Sequence, residues 1–180
     1  MIGLARRGLT LLVVGGLIVS ACGSSSDDGG ESSDGPASTV AGPDGDLLPD
    51  VEIENLDGSG KISLADIEGP AVVNLWATWC APCRREIPDF EAVHQARGDE
   101  VRFVGINIGE ASSQATDFLS VVGATYDQFI DSEGLVVTEL ATSTMPTTVI
   151  IDADGVITKR HLGPLDQDGL NDAIDKAIGL

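Results

Sequence analysis

Basic residues are scarce in this chain. Ten lysines and arginines stand against 29 aspartates and glutamates, a formal net charge of -19. Such a surface repels polyanions, which excludes nucleic acid as a partner and direct docking on anionic lipid. Cysteine is scarcer still: there are three in 180 residues, too few for a framework of structural disulfides. The two histidines, His94 and His161, show no ligand spacing, and there is no second cysteine pair to complete a four-ligand zinc site. No metal and no cofactor is therefore expected.

No apolar run at the N-terminus is long enough to cross a bilayer. Arg6 and Arg7 are instead followed by a short apolar stretch, Leu9 to Val19, and then by Val19-Ser20-Ala21-Cys22. Basic, apolar and small residues in that order describe an export signal. The segment resembles a bacterial lipoprotein lipobox. That resemblance implies a signal peptide over residues 1–21, cleavage before Cys22, and lipid attachment at Cys22. Residues 22–46 are rich in Ser, Gly, Asp and Pro and nearly devoid of large apolar side chains, so they cannot bury enough surface to offset chain ordering. They are expected to form a disordered tether with a reach of about 25–30 Å. Residues 47–180 remain as one domain, long enough for a genuine core.

Within that domain the periodicity changes repeatedly. Val51, Ile53 and Asn55 alternate with acids, Asp57-Gly58-Ser59-Gly60 marks a turn, and Lys61 to Leu64 returns as a second strand. Ala71 to Trp76 is a short apolar run of buried-strand character, followed by helical spacing through Arg97. Val101–Ile108 reads as a strand and Ser112–Val122 as a helix capped by Ser112 or Ser113. Phe129-Ile130 reads as a short strand and Leu135–Leu140 as a short helix. Thr147–Ile151 and Val156–His161 flank the hairpin turn Asp152-Ala153-Asp154-Gly155, and Asp166–Ile178 is an amphipathic helix. This order predicts an α/β fold with a mixed sheet and helices on both faces.

Trp79-Cys80-Ala81-Pro82-Cys83 lies where the buried strand gives way to the helix. Two cysteines separated by two residues can close and reopen a small disulfide ring. At a helix N-terminus, unpaired amides and the positive dipole end stabilise a thiolate on the first sulfur. Cys80 is thus the candidate nucleophile, by exposure and by dipole. Cys83, one turn in, would resolve a mixed disulfide by attacking it. Pro82 suits the first helical turn because its missing N–H would have no partner there.

Three segments together resemble the thioredoxin superfamily, and within it the membrane-anchored TlpA/ResA-like thiol–disulfide oxidoreductases. They are Leu75 to Cys83, Arg84-Arg85-Glu86-Ile87-Pro88, and Met145-Pro146-Thr147. The resemblance covers residues 47–180. It implies a thioredoxin-like fold with an N-terminal β-hairpin and a central αβ insertion, and a redox-active disulfide between Cys80 and Cys83. It also implies a cis bond at Pro146, in a loop lying against that disulfide and pairing through Met145 with an extended substrate segment. An acid at the position of Glu86 influences thiol protonation in this group. Thioredoxin itself buries an aspartate in the preceding strand, where this chain has Asn74, which holds no titrating proton. Deprotonation of Cys83 is then expected to fall to Glu86 or water. The alternative for Glu86 is a solvated helix-face acid beside Arg84 or Arg85, and for Met145 simple core filling.

Trp79 is read as a shield for the thiolate and an apolar contact, Trp76 as core. Glu110 falls in the central insertion without an assigned role. The expected function is disulfide exchange, by a monomer, with exported proteins carrying cysteine pairs such as apocytochrome c. A membrane dithiol carrier is the expected redox partner, and the extracytoplasmic face of the cell membrane the expected place. The same residues leave two other functions open. One is a redoxin-type thiol peroxidase, which needs a threonine two or three residues before the reactive cysteine, a place Thr78 occupies. The other is copper delivery, which uses Cys-x-x-x-Cys with a distant histidine, a spacing one residue longer than this chain has.

Overall fold

The computed structural model describes residues 45–179. The expected signal peptide, the expected lipid attachment at Cys22 and residues 22–44 of the expected tether lie outside the described residues.

Seven strands form one sheet. They are β1 (Glu52–Asn55), β2 (Lys61–Ser63), β3 (Ala71–Trp76), β4 (Arg102–Ile108), β5 (Asp127–Asp131), β6 (Thr147–Ile151) and β7 (Ile157–Leu162). Their spatial order is β2-β1-β5-β4-β3-β6-β7. β3, β4 and β5 run parallel, while β1 pairs antiparallel with both β2 and β5, and β6 antiparallel with β3 and β7. The chain enters beside β7, where Leu47 bridges Val156 and the Gly45 N–H donates to the Ile157 carbonyl. Among the described residues, α1 (Ala81–Arg97), α2 (Ser112–Val122) and α3 (Leu135–Glu139) connect strands, and α4 (Gln167–Ile178) follows β7.

β3 explains the layering. All six of its residues are buried, as expected of a central strand covered on both faces. Its side chains alternate between those faces. Ala71, Val73 and Leu75 join the cluster containing Leu64, Val136 and Leu140, beneath α3. Val72 joins Phe90 and Val93 of α1 and Leu170 and Ile174 of α4. Trp76, of the same parity, packs with Ile87 of α1 and with Ala115 and Leu119 of α2. The sheet is therefore mixed and flanked by helices on both faces, with the β1–β2 hairpin at its N-terminal edge and α2, β5 and α3 inserted between β4 and β6, in agreement with the sequence.

Local departures have local causes. Leu64 leaves β2 because Ser63 caps a 3-10 turn over Leu64–Asp66 in a reciprocal capping box with Asp66. α2 is not capped by Ser112 or Ser113. Ala111 occupies the N-cap and makes no side-chain hydrogen bond there, so both serines fall inside the helix. The first strand-to-helix crossover places the Cys80 turn beyond the carboxyl end of β3, the position where open α/β sheets carry their chemistry.

Candidate active site

Cys80 and Cys83 form a disulfide with an S–S distance of 2.02 Å. Cys80 is the N-cap of α1, and its Sγ accepts from the Cys83 N–H at 3.3 Å. The Cys80 carbonyl accepts from the Arg84 N–H at 3.1 Å, closing the first helical turn. The sulfur thus faces the orphan amides of a 17-residue helix, the environment that holds a reduced sulfur as a thiolate. Cys80 is less open than its sequence position suggested: it exposes 5% of its surface, against none for Cys83. The ring is closed over it, and both sulfurs pack in the cluster with Trp76 and Ile87, with Met145 laid against its edge. What stands open beside the ring is Trp79, 63% exposed.

The Met145–Pro146 bond is cis. Pro146 is buried, and its carbonyl accepts from the Gly163 N–H at 2.9 Å, tying the loop before β6 to the loop after β7. Met145 is half-buried and packs against two core clusters, so it fills space as well as edging the disulfide.

Glu86 is not a solvated helix-face acid. It lies one turn beyond Cys83 on the buried face of α1, while Arg84 and Arg85 point to solvent. Its Oε1 accepts from Asn74 Nδ2 at 2.8 Å and its Oε2 from the Leu165 N–H at 3.0 Å. Burial pushes its carboxyl from 4.5 up to about 7, the two hydrogen bonds opposing only part of that shift. Asn74, on β3, also reaches Thr148 Oγ1 at 3.4 Å, and its own Oδ1 has no protein partner. A neutral amide thus faces a carboxyl that titrates near neutrality, the range suited to moving protons at physiological pH.

Glu110 follows the left-handed Gly109 at the end of β4. Its carboxylate accepts from the Thr78 N–H at 2.7 Å, from the Thr78 hydroxyl, and from Asn107 Nδ2. No sequence spacing signals this contact between residues 32 apart. The histidines lie away from the sulfurs. His94 packs edge-on against Phe103 and Tyr126, three helical turns beyond Cys83, about 16 Å along the axis. His161 is on β7 opposite Thr148. Among the described residues, no three of His, Cys, Asp or Glu converge as a metal site would require.

The comparisons agree with this geometry. The thiol:disulfide interchange protein DsbE of Escherichia coli K12 is 32% identical over 136 residues, covering 73% of this chain and 72% of its own. The thiol-disulfide oxidoreductase ResA of Bacillus subtilis 168 is 28% identical over 131 residues, covering 72% and 73%. Among solved structures, a thiol:disulfide interchange protein of the thioredoxin family from Chlorobium tepidum TLS superposes with a TM-score of 0.64 at 26% identity, covering 76% of this chain and 99% of that one. Residues 45–160 match the AhpC/TSA family. This chain therefore belongs to the AhpC/TSA family and has the thioredoxin fold of its thiol–disulfide oxidoreductases.

Proposed function

We propose that this protein exchanges disulfides with exported proteins on the extracytoplasmic face of the membrane, with Cys80 as the attacking sulfur and Cys83 as the resolving one. The observation that carries the reading is the Cys80–Cys83 disulfide at the N-terminus of α1, with the buried Glu86 carboxyl one turn behind it. In the reducing direction, the Cys80 thiolate attacks a partner's disulfide, forming a mixed disulfide and releasing one partner thiolate. Cys83 then gives up its proton, to Glu86 or to water, and attacks the Cys80 sulfur. The second partner thiolate leaves, and the ring closes as the disulfide described above. Two electrons pass to the partner, and the direction of exchange follows the pair's potential relative to the partner's.

Proteins with a cysteine pair, apocytochrome c among them, are the proposed substrates, and a membrane dithiol carrier is the proposed redox partner. A lipid on Cys22 and the tether to residue 46 would hold a monomeric domain near the membrane. The support for this placement is the lipobox-like sequence. Reduction of insulin by the reduced protein tests the assignment: Cys80→Ser is expected to abolish it, and full activity in that variant would reject Cys80 as nucleophile.

Peroxide reduction fits less well. The Thr78 hydroxyl, the group a redoxin would direct at its reactive sulfur, donates to Glu110 instead. A peroxidase assay with a thiol donor is expected to give no turnover above the thiol blank.

A further inference from the structure

Cys80 N–H donates to the Ala77 carbonyl at 3.2 Å, which makes Ala77–Cys80 a closed turn with Thr78 and Trp79 at its two corners. A turn of this kind uses the amide of its last residue and leaves that of its second residue free. Here the free amide belongs to Thr78, and Glu110 takes it at 2.7 Å, together with the hydroxyl of the same residue. Both bonds are charge-assisted, the strong class of neutral donor to carboxylate. Glu110 is itself fixed. Asn107, which donates to it, lies opposite Trp76 in the β3–β4 ladder, so the carboxylate bridges the ends of two central strands. One residue further on, the chain carries the exposed indole of Trp79; two further, the sulfur of Cys80.

We propose that Glu110 is a positioning residue for the exchange reaction: it holds the Ala77–Cys80 turn in the shape that presents Trp79 to an incoming protein beside the Cys80 sulfur. The inference rests on the disulfide-exchange reading and adds to it the element that aligns a folded or extended polypeptide, as opposed to a small disulfide, for attack. Trp79 has the character such a contact needs. It is large, apolar and 63% open, and aromatic anchors of this kind dominate protein contacts. With the clamp removed, the indole samples several positions, and a protein substrate must spend binding energy to fix it.

The test compares two oxidants of the fully reduced full-length protein in stopped flow: insulin, a protein disulfide, and the small aromatic disulfide 5,5′-dithiobis(2-nitrobenzoate). Glu110→Ala is expected to lower the second-order rate with insulin about tenfold more than the rate with the small disulfide. Trp79→Ala is expected to show the same selectivity, and the double variant no further insulin-specific loss, because the two residues act as one unit. Thr78→Val removes one of the two Thr78 donors from the other side. It is expected to give a smaller insulin-selective loss, about threefold, and supplies the answer if Glu110→Ala does not fold. Equal losses with both oxidants, or additive losses in the double variant, would overturn the positioning role. A wild-type protein inert toward both disulfides would instead overturn the exchange reading beneath it.

Discussion

Glu86 and Asn74 are hydrogen-bonded in the interior, Oε1 to Nδ2 at 2.8 Å, between the sulfurs and the loop that follows β7. The acid comes from α1 and the amide from β3, so helix and sheet share one polar contact inside an apolar layer. The Leu165 N–H closes the other side of the carboxylate. The site is thereby provided with one titratable group, raised by burial to about 7.

That elevation makes folding pH-dependent. The native protein keeps the Glu86 proton up to about pH 7, whereas the unfolded chain releases it near 4.5. Between those values the native state binds more protons, so unfolding free energy falls as pH rises, by about 3 kcal/mol in total from this group. Glu86→Gln is expected to flatten that slope. Urea unfolding of both proteins at pH 5, 6, 7 and 8 measures it, and parallel curves would contradict the burial argument.

The same group sets the pH profile of the resolving step. With wild-type protein, ring closure is expected to accelerate as pH rises through about 7, where Glu86 becomes an available base. In Glu86→Gln the midpoint is expected to move up toward about 8.5, the ordinary range of a thiol. Rapid-quench measurement of mixed-disulfide decay reads this directly.

Asn74→Asp would place a second carboxyl within hydrogen-bonding distance of the first. Two adjacent carboxyls cannot both ionise cheaply, so one proton is expected to be retained well above pH 7. Between pH 5 and pH 8 the variant should lose about 3 kcal/mol or more beyond what wild type loses. Carboxyl carbon titration by NMR follows both groups.

These interior contacts divide what the sequence makes legible from what it does not. β3 could be read because five apolar residues around Asn74 make a run of strand length, bounded by Gly69-Pro70 and the cysteine turn, and the cysteine pair because a strand-to-helix junction puts a sulfur at an N-cap. Glu86 follows two arginines, which gives it the look of a surface residue. Its burial depends on Leu165, 79 residues later, a contact no local pattern carries. Glu110 and Thr78 likewise meet only through the parallel pairing of β3 with β4. Ser112 and Ser113 have good capping chemistry, yet the N-cap of α2 falls on Ala111, just after Glu110 is held at the Thr78 turn. No local pattern marks Asp131, whose buried side chain accepts from the Leu135 and Val136 N–H groups and so anchors the start of α3.

One tolerance test addresses the fold alone. A Cβ on Gly69 would sit 1.8 Å from the Asp152 carbonyl oxygen, a backbone atom that cannot swing away. Gly69→Ala is expected to lower the unfolding free energy by about 3 kcal/mol. An unchanged thermal midpoint would show that the Asp152–Gly155 turn yields more readily than its packing suggests.

The central claim is that one sulfur attacks and its neighbour resolves. Reduced Cys83→Ser protein, mixed with insulin and mapped by mass spectrometry after acid quench, tests it most directly. A stable crosslink through Cys80 is the predicted result. Absence of any crosslink, while the variant still reduces insulin at the wild-type rate, would contradict it.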